Sequence, residues 1–224
     1  MTIPLRLSQT EIQALLREPI ARDIPGSKRD EMAIPSYLHP NPLIRWLMWR
    51  RYEVAAGLAQ LSGVDAALEF GCGIGLFLPT LAAACQRVYA IDIFPEYARR
   101  LSEQRHLGVI FPDRLDEIPD GALDLIVAAD VLEHLPDVET YLDGFHHKLK
   151  PGGRLVVSGP TENLIYKIGR VVAGFGDKGD YHVSNIDLLL AKIAARGFRP
   201  TCTRNLPFRT APHLFRVAAF DCRP

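Results

Sequence analysis

The chain has no excess of either charge: 26 Lys and Arg balance 26 Asp and Glu over 224 residues. That excludes a broad electrostatic footprint for nucleic acid and leaves only a local basic patch open. The four cysteines, Cys72, Cys85, Cys202 and Cys222, are scattered and lack the paired spacing of a metal site. Reduced thiols in a cytoplasmic protein are the simplest expectation. No apolar run has the length of a membrane span. The first residues lack the basic-then-apolar pattern of a secretory signal. There is no internal repeat and no low-complexity segment. What remains is an ordinary globular composition, 48% hydrophobic and 23% charged, long enough for one domain with a sizeable core.

Against that background one stretch stands out, Ala67-Leu68-Glu69-Phe70-Gly71-Cys72-Gly73-Ile74-Gly75. An apolar strand runs up to Glu69, a glycine-rich turn follows, and Leu76–Cys85 reads as helical. Strand, glycine turn and helix open a nucleotide-binding α/β domain, because glycine backbone can approach a ligand without Cβ interference. The spacing is G-x-G-x-G. The dinucleotide fingerprint would need a glycine at position 76, which is Leu76, and this opposes a nicotinamide-dependent oxidoreductase. Val88–Asp92 reads as a second buried strand ending in an acid. Asp92 lies about 20 residues past the turn, where a carboxylate can accept both ribose hydroxyls. Leu123–Ala129 reads as a central strand buried on both faces, whose carboxyl end delivers Asp130 to the ligand crevice. Leu149-Lys150-Pro151-Gly152-Gly153 then turns the chain into a strand over Arg154–Ser158.

This ordered set resembles the class I S-adenosylmethionine-dependent methyltransferases. The likeness covers residues 65–200, and "DVLEHL…LKPGGRLVVS" is its most specific part. The subgroup it looks most like contains small-molecule methyltransferases, quinone O-methyltransferases among them. The resemblance implies a Rossmann-like, three-layer α/β/α domain with a seven-stranded, mostly parallel sheet and an antiparallel last strand. It implies S-adenosyl-L-methionine as cofactor. Gly71, Cys72, Gly73 and Gly75 would face its methionine end, and Glu69 would orient the turn or the cofactor's ammonium. Asp92 would take the ribose, with Ile93 and Phe94 on the adenine. Asp113, after a short strand Val109–Phe111, would accept the adenine amino group, although Asp116 and Glu117 lie close enough to compete. Asp130 and Val131 would stand beside the cofactor.

Methyl transfer is an in-line displacement. The protein must align nucleophile and methyl, exclude water, and deprotonate a hydroxyl nucleophile. His134 is the best-placed base candidate, because its unperturbed pKa suits neutral pH; a helix-start histidine bonded locally is the competing reading. His182, ahead of a further helix, is a second candidate. Asp130, Glu133 and His134 form a D-x-x-E-H cluster, but oxygen ligands at this density are weak support for a metal, and none is expected. The expected acceptor is a small molecule methylated on oxygen, of quinone, lipid-linked, sugar or natural-product type. A non-catalytic cofactor-binding protein is the alternative.

The flanks are read more coarsely. Residues 1–64 form an N-terminal helical extension and 65–224 the cofactor-binding domain, with a substrate-side insertion at 160–184. Ser8-Gln9-Thr10-Glu11 has capping-box spacing ahead of Ile12, Leu15, Leu16 and Ile20. Leu43–Leu61 is a second helix carrying Trp46 and Trp49 among Arg45, Arg50 and Arg51. It covers one sheet face with its arginines snorkelling to water, or it touches anionic lipid. Tyr37 and His39 are weak substrate-side candidates. Thr161–Phe175 is an amphipathic helix that packs on the domain or caps the substrate pocket, so peripheral membrane contact could run through 43–61 or 161–175. Ser184 or Asn185 caps a helix running through Ala195, which Gly197 ends. Residues 199–206 and 213–222 supply the last two strands.

Overall fold

The computed structural model of the chain describes residues 5–17, 34–163, 166, 185–210 and 213–223. His182, the glycine-rich stretch before it and most of the helix expected over Thr161–Phe175 lie outside the described residues.

Six strands form one sheet: β1 Ala66–Phe70, β2 Arg87–Ile91, β3 Leu123–Ala129, β4 Leu149–Pro160, β5 Phe198–Pro207 and β6 His213–Cys222. Their spatial order is β2-β1-β3-β4-β6-β5. β1 pairs in parallel with β2 and β3, and β3 with β4. β6 runs antiparallel to both its neighbours, β4 and β5. The α/β class and the antiparallel last strand are therefore as expected, but the seventh strand is not formed among the described residues. Its place beside β2 is held by a single parallel bridge, Tyr89 to Ile110. Ile110 donates its N–H to Val88 O and accepts from Ala90 N, both at 2.9 Å. In a ladder the next residues to face β2 would be two away on each side. Gly108 has φ 67° and leaves the extended region, and Pro112 has no N–H to give, so the pairing stops at one residue.

The strands carry apolar side chains on both faces, and this divides the core in two. Along β1, Ala67 belongs to one apolar cluster and Leu68 to the other. The first cluster is covered by α1 (Gln9–Arg17), α3 (Pro42–Ala59), α4 (Leu78–Ala82) and α5 (Glu96–Arg105) through Ile12, Leu15, Trp49, Leu81 and Leu101. The second is covered by α6 (Val138–Lys148) and α7 (Ile186–Ala195) through Leu142, Phe145, Leu189 and Ile193. A short helix, α2, spans Ile34–Tyr37. Helix on sheet on helix is the three-layer arrangement.

Local chemistry explains the helix boundaries. The capping box ahead of α1 is formed: Glu11 N donates to Ser8 Oγ at 3.2 Å and Ser8 N to Glu11 Oε2 at 2.7 Å. Asn41 caps α3 by accepting from Leu43 N at 2.9 Å, with Pro42 at the first helical position. Asn185, not Ser184, caps α7, accepting from Leu188 N at 2.9 Å. Gly197 leaves that helix at φ 88°. The helix expected over Leu76–Cys85 is shorter, only Leu78–Ala82, because the glycine turn runs into Phe77 before helical geometry begins. No described helix is long and apolar enough to cross a membrane.

Leu68 is fully buried at the centre of the sheet. Leu68→Ala should cost about 2–5 kcal/mol of stability, read as a lower urea midpoint at unchanged slope.

Candidate functional site

The strand order reverses at β1, since β2 lies on one side of it and β3 on the other, and the crevice there opens at the carboxyl ends of the strands. The glycine turn fills its floor. Gly71, Gly73 and Gly75 have φ of 75°, 53° and 79°. A Cβ on Gly71 would lie 2.5 Å from Val131 Cβ, so the turn after β1 touches the turn after β3. A Cβ on Gly75 would lie 2.9 Å from Leu78 Cδ1 and 3.1 Å from Ala98 Cβ. At Gly73 a Cβ would meet nothing within 4 Å. Two glycines thus serve close packing, and the middle one presents bare backbone to open space.

Asp92 pins that loop. Its Oδ2 accepts from Gly73 N at 2.7 Å and its Oδ1 from Phe94 N at 2.9 Å. Each carboxylate oxygen has a further lone pair for a ligand hydroxyl. Glu69 lies below, 2% exposed, with Oε2 bonded to nothing. Burial, and then the charge of Asp92, push its carboxyl well above the usual range. Burial also pushes the Cys72 thiol well up, with Glu69 and Asp92 adding to it; its side chain is part of the core. Ile93 is 77% exposed beside Asp92, an apolar side chain left in water at the mouth of the crevice. Asp113 is exposed and pairs with Arg99 at 3.7 Å, while Arg99 lies 4.9 Å over the Phe111 ring.

A second group of residues gathers at the ends of β3 and β4. Asp130 has φ 53°, and its N–H donates to Ser158 O at 2.9 Å. Its carboxylate forms an ion pair with Arg51 of α3. Leu132–His134 makes one 3₁₀ turn immediately afterwards. Within it Glu133 is 1% exposed, and neither carboxylate oxygen has a hydrogen-bond partner. Burial, then the charge of Asp130, hold its carboxyl well above the usual range, with Glu162 adding and Arg51 opposing. His134 is half-buried on the same turn, its N–H bonded to Val131 O at 3.1 Å. Among the described residues no group of three or more His, Cys, Asp or Glu is arranged to hold a metal ion.

Arg51 corrects the sequence reading. Arg50 does reach solvent, where it meets Glu53 at 2.7 Å, but Arg51 is 4% exposed and does not snorkel. The signal was present: position 51 falls three residues after Met48 and four before Ala55, on the helix face that is buried. Tyr37 is buried with its hydroxyl 3.5 Å from the Arg51 guanidinium. His39 serves the start of α3 instead, its Nδ1 accepting from Asn41 N at 3.0 Å.

Residues 46–201 match the family model described as a methyltransferase domain. Among curated proteins the chain is 33% identical over 145 residues to nodulation protein S of Rhizobium tropici, covering 61% of this chain and 59% of that protein. It is 32% identical over 158 residues to the ubiquinone biosynthesis O-methyltransferase of Xanthomonas euvesicatoria pv. vesicatoria, covering 65% of each. In both cases the match spans less than two thirds of the relative. Among solved structures it is similar to the N-methyltransferase NodS from Bradyrhizobium japonicum WM9 in complex with S-adenosyl-l-homocysteine. That pair has a TM-score of 0.65 at 24% identity, over 95% of this chain and 98% of that one, a likeness of fold.

Gly71→Ala should cost about 2–5 kcal/mol, from left-handed strain plus overpacking against Val131. Gly71→Ala should cost markedly less in a Val131→Gly background, where no Cβ faces the new methyl; thermal melts of the two single variants and the double variant decide it. For Glu133 the readout is pH. A buried carboxyl with a raised pKa binds its proton more tightly folded than unfolded. Stability is therefore lost as pH rises from about 4.3 towards the raised value. Glu133→Gln removes that loss, so its melting temperature relative to the unaltered protein should be more favourable at pH 8 than at pH 5.

Proposed function

The chain belongs to the methyltransferase-domain family, and on that premise we propose that it transfers a methyl group to a hydroxyl oxygen of a small organic acceptor. The cofactor is S-adenosylmethionine. The observation that carries the reading is the open backbone at Gly73, held by Asp92 at the point where strand order reverses. The residues fit the cofactor: half-buried glycine backbone with open space at Gly73 for its amino acid end, Asp92 for ribose hydroxyls, exposed Ile93 for an adenine face and exposed Asp113 for the adenine amino group. The orphaned Glu69 Oε2 beneath the turn suits an ammonium or helps shape the loop. When bound, the cofactor supplies a methyl group on a sulfonium, whose departure needs no proton.

The chain's own work is then to orient the acceptor, keep water out and take a proton. Asp130 and His134 sit on the turn after β3, where the crevice meets the acceptor side, and His134 is the proposed base. His182 keeps the role proposed from sequence, since it lies outside the described residues. A quinone, lipid-linked, sugar or natural-product hydroxyl are the acceptor classes of this proposal. Leu43 and Trp46 on α3 are 70% and 45% exposed beside arginines, which supports brief contact with a membrane surface.

One observation favours a second reading, transfer to an amine nitrogen. Asp130 and Glu133 lie together at the end of β3, and an edge of carboxyl groups suits an acceptor that arrives as an ammonium.

Isothermal titration with S-adenosylmethionine, S-adenosylhomocysteine and NADH tests the premise. The two sulfur ligands should bind, NADH should not, and Asp92→Ala should weaken binding by about tenfold or more, ~1.4 kcal/mol. Release of S-adenosylhomocysteine with hydroxylated or amine acceptors then separates an enzyme from a mere binder and oxygen from nitrogen. Binding of NADH alone would sink the proposal.

A further inference from the structure

Arg51 stands outside the glycine turn and outside the strand ends, yet among the described residues it is the most buried cation. Three elements hold its guanidinium. It pairs with Asp130 after β3, lies 4.5 Å over the ring of Phe215 in β6, and reaches the Tyr37 hydroxyl at the end of α2. Burial is the largest single influence and favours its neutral form, but Asp130, Tyr37 and Tyr52 together outweigh it and keep the guanidinium cationic. Asp130 in turn occupies left-handed backbone, which Asp adopts more readily than most L-residues.

We propose that Arg51 is a positioning residue of the methyl-transfer site: from α3 it fixes the carboxylate of Asp130 and cancels the charge that Asp130 would otherwise turn on Glu133. The inference rests on the reading of this strand edge as the transfer site. Its physical basis is the cost of an unpaired buried charge. Without the guanidinium, Asp130 would be an unpaired charge at a water-poor edge, and Glu133 beside it would hold its proton more tightly. The same helix also reaches the cofactor side. Tyr52 stacks on Phe77, directly after the glycine turn, at 5.2 Å, and on Tyr37 at 6.0 Å; Tyr37 meets Trp49 edge-on at 5.2 Å. Among the described residues, the charged and titratable groups acting on Glu133 and Asp130 are Arg51 from α3, Tyr37 from α2 and Glu162 after β4, while Tyr52 acts on Tyr37 and Arg51 and meets Glu69 of β1.

The test is a carboxyl-carbon NMR titration of Glu133 in the full chain, its resonance assigned by loss in Glu133→Gln. Arg51→Met should move the Glu133 midpoint up by about one pH unit or more, the size expected for removing a near opposite charge. Arg51→Lys should leave it near the starting value. Arg51→Met/Asp130→Asn should bring it back, because the charge that Arg51 offsets is then gone. Asp130→Asn alone should move it down, and decides the matter if Arg51→Met does not fold. An unmoved midpoint in Arg51→Met, or in Asp130→Asn, overturns the proposal; so does a double variant as displaced as the single one. S-adenosylhomocysteine titrated into the unaltered protein keeps the two readings apart. Absence of binding would remove the cofactor reading, while the Glu133 midpoints would still decide the role of Arg51.

Discussion

The space between Gly71 and Val131 is too small for a side chain, and the shape of the site depends on it. The turn after β1 and the turn after β3 are built from strands that pair directly, Leu68 beside Ile126 and Glu69 beside Val127. Parallel neighbours lie about 4.8 Å apart, so their loops must either splay or interlock. Here they interlock, with Val131 seated where Gly71 has no Cβ. That contact carries the backbone onward to Gly73, which Asp92 then ties to the end of β2. Three strand ends are thereby joined by one close approach and one carboxylate.

Charge placement follows from the same geometry. The carboxyl ends of parallel strands collect acids: Glu69, Asp92, Asp130 and Glu133 all fall at or just past such an end. They are treated differently. Asp92 is answered by backbone N–H groups, Asp130 by a guanidinium, and Glu69 and Glu133 by burial that favours their protonated forms. A carboxyl whose proton affinity is raised by burial can hold a proton at this edge, and methylation of a protonated nucleophile draws on such groups.

Much of this was legible in the chain. The G-x-G-x-G turn, the acid ending the second strand and the apolar run before Asp130 are local patterns, and each is governed by local physics: glycine's access to positive φ, alternation along strands, and the length of a buried run. Caps at Ser8 and Asn185 were equally readable, because a cap involves residues only three or so apart. The missing seventh strand was harder. Val109–Phe111 has the composition of a strand, but pairing is decided by which residues face the neighbour, and there the flanking Gly108 and Pro112 are the ones that would have had to pair.

The role of Arg51 lay further from view. Helical spacing places it on the buried face of α3, but spacing does not name the carboxylate 79 positions away that makes burial tolerable. The family, the α/β class, the glycine turn and the acid that ends the second strand were all written in the order of residues, since these depend on short-range backbone geometry and on side-chain period. It took the assembled fold to seal Glu133 from water, to brace Gly73 with Asp92, and to bring Arg51 across the sheet to Asp130. Those outcomes depend on distances between segments far apart in the chain, and desolvation and Coulomb energy act through distance in space.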